Sequence, residues 1–301
     1  MTLSIIIINY NTFELTSKCI ESIFRFTKNV DFEIILVDNA SVECNPDVFL
    51  EKFPQITLVK SSENRGFAGG NNVGLEIAKG EYILLLNSDT ELVENSIETS
   101  LNRLKQDLTI GVLSCKLIYP DGKIQSCANK FPSISLEIKE LLRLQKFISK
   151  SKSEDMFLGA FFDHQTEKNV DWVWGTFFLT KRKIINQFPS QKLPDDFFMY
   201  FEDVQWCYKI RQLGYEILYF PTTKIIHHLS ASSAGNKDIF HKMSKSLINE
   251  CVFLRKEKGS FYTYILYILR TIKYFSLRKP EFTRIAKFYY KFIKNKLRLI
   301  D

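Results

Sequence analysis

The sequence predicts an α/β fold: a Rossmann-like, mostly parallel central sheet flanked by helices, with a helical C-terminal appendage. Three observations carry this expectation. Unbroken apolar runs such as Ile5-Ile6-Ile7-Ile8 and Ile83-Leu84-Leu85-Leu86 fit strands buried on both faces. Segments of helical period lie between such runs, and strands alternating with helices argue for parallel pairing. From about residue 237 the chain becomes basic and helical in its spacing.

Residues 3–8 read as the first strand. Thr12 to about Arg25 reads as a helix with Leu15, Cys19, Ile20 and Ile23 on one face. Glu33 to Val37 is the second strand and Ile56 to Val59 the third. The helix after the glycine-rich stretch Asn64–Asn72 runs to about Lys79, with Gly80 as its stop. Strand 82–86, a helix from about Asn95 to Gln106 and strand 110–117 follow. Residues 133–169 break the rhythm, with Ser and Lys clustered at 149–153, and read as a variable excursion or lid. Regular structure resumes at Val170. A helix then carries Glu202 and Asp203, and a strand runs from Glu216 to Phe220. The expected organisation is one domain over 1–236 and a basic amphipathic tail over 237–301.

The chain has 301 residues, 45% of them hydrophobic and 14% aromatic, enough for a sizeable core. It opens directly on the first strand, so no secretory leader is expected, and no segment reaches the roughly 18 apolar residues of a spanning helix. The six cysteines show no paired spacing and are expected to stay reduced in a cytosol. The net charge is +7, yet the last 60 residues alone hold 15 Lys/Arg against 4 Asp/Glu, which leaves the body mildly acidic. In this tail Phe261 to Phe275, and then Phe282, Ile285, Phe288, Tyr289, Phe292 and Ile293, recur at helical spacing among cations. Helices lying on an anionic membrane surface have that pattern. So do helices that dock on the body or join a homodimer. A basic, aromatic tail also raises nucleic-acid binding, but no recognisable module accompanies it.

Several segments carry chemistry. Asn87-Ser88-Asp89 ends an apolar strand, where ligands of open α/β sheets gather, and Asp89 is placed to hold a divalent cation against phosphates. The same three residues also make an ordinary helix-capping turn. Asp38 ends the second strand and can accept hydrogen bonds from a ring N–H or a sugar hydroxyl, or cap its turn. Arg65, among glycines, can meet a phosphate or brace an acid, while the glycines can simply start a helix. Glu202-Asp203 follows the aromatic run Phe197–Phe201, surroundings that lift a carboxyl toward useful base strength. Glu202 is equally explained as a helix N-terminal charge. His227 and His228 offer imidazole ligands.

Five ordered segments, SIIIINYN, VDNAS, ENRGFAGGNN with LLLNSDT, VWGTFFLTKR, and FFMYFEDVQWCYKIRQLGY leading to IIHH, resemble the inverting nucleotide-sugar glycosyltransferases of family 2. The resemblance covers roughly residues 3–235. It implies the GT-A fold, and it is nearest the bacterial rhamnosyltransferase-like branch that decorates cell-surface polysaccharides. The implied donor is a nucleoside-diphosphate sugar, dTDP-rhamnose ahead of UDP-hexoses. The implied acceptor is a glycan or polyprenyl-linked glycan, and the implied cofactor Mg2+ or Mn2+. Asn9 and Tyr10 would line the nucleoside pocket, with Asp38 on the base or ribose. Asp89 and His227 would hold the metal, and Arg65 or Arg211 would meet the diphosphate. Asn87 departs from the family's usual Asp-x-Asp and adds no charge. Asp203 would be the general base, and Trp172, Trp174, Gly175 and Glu202 would shape the acceptor pocket. Such an enzyme would be cytoplasmic, or peripheral on the inner face of the cell membrane. The alternatives are a nucleotidyltransferase and a non-catalytic carbohydrate-binding scaffold with a decayed transferase fold, the latter prompted by Asn87.

Overall fold

A computed structural model describes residues 1–229 and 236–295. In chain order the elements are β1 (Leu3–Asn9), α1 (Phe13–Phe26), β2 (Phe32–Asp38), α2 (Val48–Lys52), β3 (Thr57–Lys60), α3 (Gly66–Ile77), β4 (Tyr82–Asn87), β5 (Thr90–Leu92), α4 (Ser96–Gln106) and β6 (Ile110–Ile118). There follow β7 (Ala128–Asn129), α5 (Ile134–Leu141), α6 (Lys150–Phe157), β8 (Lys168–Val170), β9 (Trp172–Val173), β10 (Phe177–Lys181), α7 (Arg182–Ile185), α8 (Glu202–Gln212) and β11 (Glu216–His227). The helices α9 (Asn236–Lys258), α10 (Ser260–Ser276) and α11 (Pro280–Lys294) complete the described chain. Two stretches of the expected domains, 230–235 and 296–301, lie outside the described residues.

The chain divides into two compact units, one of residues 1–129 and 163–239, the other of 130–162 and 240–301. In the first, the sheet order is β3-β2-β1-β4-β10-β6-β11-β5, with β8 paired on β11. Strands β3, β2, β1 and β4 run parallel, as do β6 and β11. Ile5, Ile6 and Ile7 of β1 and Leu84 and Leu85 of β4 are fully buried, as parallel strands covered on both faces require. Helix α3 lies close over β1: a Cβ on Gly70 would stand 3.2 Å from Ile8 and one on Gly74 2.5 Å from Ile6. The glycine-rich stretch, which the sequence places ahead of the helix, is the start of α3 itself, where small residues let helix and strand approach.

Several strands were not expected from the sequence, two of them within the path of the main sheet. The fully buried β10 enters antiparallel between β4 and β6, and β5 pairs antiparallel with the far end of β11. The sheet is thus mixed at its centre. The last strand was also expected to end near Phe220, but it continues to His227. Pro221 has no N–H to give a ladder, and the register with β6 shifts between Phe220 and Lys224, so pairing resumes beyond it.

In the second unit α10 packs on α5 and α11. Several of the tail's aromatic side chains meet one another. Tyr267 lies 4.7 Å from Tyr289 and 5.9 Å from Phe292, and Tyr274 stacks on Phe282 and Tyr289. Arg270 is buried among them. Its Nε donates to Glu137 at 2.6 Å, its guanidinium also bonds Glu250, and it donates to the Tyr289 hydroxyl at 2.9 Å. Lys273 bonds Glu137 and Glu140. No described helix is long and apolar enough to cross a membrane.

Candidate active site

Register brings the chemistry to one edge of the sheet. Asn9 pairs with Asp38 across β1 and β2, and Ile8 with Asn87 across β1 and β4, so the carboxyl ends of three parallel strands align. Asn9 is buried and fully engaged. It donates to Asp38 Oδ2 at 2.8 Å and Ser41 Oγ at 3.0 Å, and accepts from Thr12 and Thr16 at 3.1 and 2.8 Å. Asp38 Oδ1 accepts from the Ser41 N–H at 3.1 Å, so the carboxylate does hold its turn. Tyr10, next along, is exposed.

The turn into α3 is fastened by Asn39, which sequence reasoning passed over as a strand-end residue. Its amide donates to Asn64 Oδ1 at 2.9 Å and to the Gly66 carbonyl at 3.0 Å, and accepts from Arg65 N–H at 3.0 Å. Gly66 has φ +70°, and a Cβ there would stand 1.9 Å from the Phe198 carbonyl oxygen. The next N–H, of Phe67, donates to that same carbonyl at 2.9 Å. Only glycine fits so close an approach. The Arg65 side chain is half exposed, 3.9 Å from Glu63.

Asp89 and His227 meet at the same edge, with Asp89 Oδ1 3.3 Å from His227 Nε2. Gln125 clamps the histidine from behind. Its Oε1 lies 2.8 Å from His227 Nδ1, and its Nε2 donates to the His227 carbonyl at 2.7 Å. An amide oxygen only accepts, so Nδ1 carries the hydrogen, which leaves Nε2 on the side of Asp89 as the nitrogen that would ligate a cation. Adjacent ligands of an octahedral cation with ~2.1 Å bonds stand ~3 Å apart, near the spacing of this pair. The Asn87 Oδ1 is buried without a hydrogen-bond partner, a further oxygen at the same strand end. The donor set therefore fits a hard divalent cation. Among the described residues no three His, Cys, Asp or Glu side chains converge on one point, so the protein offers a partial shell. His228 turns to Glu91 at 3.1 Å instead.

The acidic pair begins α8. Tyr200 and Phe201 both adopt left-handed backbone, φ 72° and 80°, an uncommon arrangement that re-aims the chain into the helix. Glu202 is buried and its Oε2 has no hydrogen-bond partner. Burial, and then the Asp203 charge, push its carboxyl up to about 8. Burial pushes Asp203 up to about 6, opposed by N–H groups of Val204 and Gly175, which donate at 2.8 and 3.2 Å. The segment before β10 joins the two halves of the site. Gly175 bonds Asp203, the Trp174 ring lies 6.3 Å from His227, and the Thr176 carbonyl accepts from Asn87 N–H at 3.1 Å. Trp172 lies in β9, paired with Asn129. Arg211 is drawn away to the strand side, donating to the Val170 carbonyl at 3.0 Å and standing 3.7 Å from Asp171.

The structure thus brings together Asn9 with Asp38, Asp89 with His227, and Asp203 with Gly175, while Arg211 braces the segment that leads to Trp172. Gln125 escaped the sequence reading because a lone glutamine 102 positions from its histidine leaves no local pattern.

The family described as Glycosyl transferase family 2 matches residues 4–188. An uncharacterised protein of Sinorhizobium fredii is 26% identical over 249 residues, 80% of this chain, which spans only 26% of that relative's length. The N-acetylglucosaminyl-diphospho-decaprenol L-rhamnosyltransferase of Mycobacterium tuberculosis is 23% identical over 226 residues, 69% of this chain and 70% of that one. Among solved structures, a mannosyltransferase from Pyrobaculum calidifontis in complex with GDP-Man and Mn2+ is similar with a TM-score of 0.57 at 15% identity, covering 98% of this chain and 83% of that one. At that identity the likeness is one of fold.

Proposed function

This chain belongs to glycosyl transferase family 2 and has the GT-A fold, and on that premise we propose that it moves a sugar from a nucleoside diphosphate to a hydroxyl of a glycan or lipid-linked glycan in surface-polysaccharide synthesis. The observation that carries this reading is the oriented Asp89–His227 pair, clamped by Gln125, on the sheet edge that also holds Asn9 and Asp38. dTDP-rhamnose is favoured as donor over UDP-hexoses by the likeness to a rhamnosyltransferase.

In this reading Asn9, Tyr10 and Asp38 take the nucleoside, with Arg65 near the diphosphate. Asp89 and His227 would hold Mg2+ or Mn2+, with Asn87 Oδ1 at the same strand end. A bound cation there offsets the charge that grows on the leaving diphosphate. Asp203 takes the proton from the acceptor hydroxyl as that oxygen attacks the anomeric carbon, in a single displacement that inverts configuration. Its raised carboxyl supports this role, and the Gly175 N–H fixes the direction of Oδ2. Glu202, which keeps its proton at neutral pH, adds no second charge beside the base. Trp172 and Trp174 offer aromatic faces to acceptor sugar.

A thermal-shift panel of UDP, dTDP, GDP and CMP, each with and without Mn2+, tests the site. One nucleotide at about 100 times its dissociation constant should stabilise the chain by roughly 2.7 kcal/mol, only with Mn2+ present. His227→Ala should remove the Mn2+ dependence. Absence of any shift would favour the non-catalytic scaffold.

A further inference from the structure

The aromatic run ahead of α8 holds two kinds of side chain. Phe197 is buried and meets Phe201 with the ring centroids 6.3 Å apart. Phe198, next to it, is 53% exposed. A single exposed apolar side chain on a loose loop needs no explanation. The loop here is fastened along its length. Asn72 takes both polar groups of the Leu193 backbone, at 2.9 and 3.0 Å, and the Trp206 indole donates to the Pro194 carbonyl at 2.7 Å. The Gln205 amide bonds Asp196, and the Phe198 carbonyl itself accepts from Phe67 N–H at 2.9 Å. The ring is therefore displayed in the open on a fixed backbone, the condition under which an aromatic face binds at little entropic cost.

Its neighbours place it within the site. The ring edge lies over Gly66, with Phe198 Cδ2 2.9 Å from the point where a Cβ of that glycine would stand. Phe67, the next residue, stacks on Trp206 of α8 and brings its Cε1 to 3.0 Å from the corresponding point on Gly175. Gly175 lies against Asp203 in turn: the same point is 3.7 Å from Asp203 Cβ, and the Gly175 N–H donates to Asp203 Oδ2 at 3.2 Å. A continuous wall thus runs from the turn at Arg65 to Asp203, and Phe198 presents an open aromatic face on it.

We propose that Phe198 is a specificity-determining residue that packs against the apolar C–H face of the sugar being transferred. The inference rests on the transfer reading and deepens it. In that reading the diphosphate lies near Arg65 and the attacking hydroxyl lies at Asp203, so the sugar between them passes along this wall. The nucleoside is assigned elsewhere, to Asn9, Tyr10 and Asp38 on the strand edge. A contact at Phe198 is therefore made by a sugar nucleotide and not by the free nucleoside diphosphate.

The test is calorimetric titration, with Mn2+ present, of dTDP, dTDP-rhamnose, UDP and UDP-glucose into wild type and Phe198→Ala. For the base that binds, Phe198→Ala should weaken the sugar nucleotide about tenfold and leave the free diphosphate unchanged. Phe198→Tyr, which keeps the ring, should restore the sugar nucleotide to near wild-type affinity. Phe198→Gln, which covers Gly66 without an aromatic face, should bind like the alanine variant, and decides the matter if the alanine variant melts early. Equal weakening of both ligands at an unchanged melting temperature would set the ring against the nucleotide and overturn the proposal. So would no weakening of either. With an acceptor supplied, a rise in acceptor KM alone would assign the ring to the acceptor and overturn it too. If no nucleoside diphosphate binds the wild type, the transfer reading fails and this inference with it. If the diphosphate binds and the sugar nucleotide ignores the substitution, this inference fails alone.

Discussion

His227 has two ring nitrogens, and the hydrogen bond at one fixes the role of the other. Gln125 occupies Nδ1 and also reaches the His227 carbonyl, so ring and backbone are held by one amide. Removing such an outer partner typically weakens metal binding about 10–100-fold. Gln125→Leu should therefore lower Mn2+ affinity in that range when followed by electron paramagnetic resonance with a nucleoside diphosphate present. Gln125→Glu, which keeps the acceptor for Nδ1, should recover part of the loss. Equal Mn2+ affinity in all three proteins would remove Gln125 from the site. Residue roles that depend on a neighbour in sequence were legible beforehand. Asp89 closes an apolar strand, and Glu202-Asp203 follow an aromatic run. Asn39 and Gln125 were not legible, because their partners are distant in sequence and amides give no periodic signal.

At the scale of elements, the turn into α3 is the tightest joint of the first unit. Gly66 has a positive φ and lies against the Phe198 carbonyl, on the loop that leads to Glu202 and Asp203. Gly66→Ala should destabilise the fold by at least about 1–3 kcal/mol, read as a drop in the urea midpoint, because the methyl group has no space and the backbone is strained. Destabilisation below about 0.5 kcal/mol would mean the loop at Phe198 yields freely. The parallel strands β1, β2 and β4 were readable because burial on both faces writes an unbroken apolar run. The antiparallel β10 was not, since Phe177–Lys181 includes Thr and a buried Lys181 whose amino group donates to the Asp107 and Ile110 carbonyls. Pro221 reads as a strand end in sequence, yet the register shift carries β11 past it to His227.

Across the whole molecule, two kinds of buried charge do different work. In the second unit Arg270 neutralises Glu137 and Glu250 at a junction of α5, α9, α10 and α11. Arg270→Ala would leave the buried Glu250 without its cation and Glu137 with Lys273 alone, and should destabilise that unit by roughly 3–5 kcal/mol in chemical denaturation. A loss under 1 kcal/mol would show that the carboxylates are accommodated without it. The tail's helices were legible from spacing and charge, but which aromatics turn inward was not, because both faces of α10 are apolar. In the first unit no cation among the described residues pairs with the acidic pair, and burial holds Asp203 above its ordinary value, at about 6. Because that folded value is raised, the base form is present above about pH 6 and is lost as pH falls through it. The most direct test is release of nucleoside diphosphate from the sugar donor, with a glycan acceptor, by wild type and Asp203→Asn across pH 5–8. The account predicts a wild-type rate that falls below about pH 6, and a variant slower by on the order of 10²–10⁴-fold at pH 7.5 with donor binding preserved. A variant that turns over at the wild-type rate would contradict it.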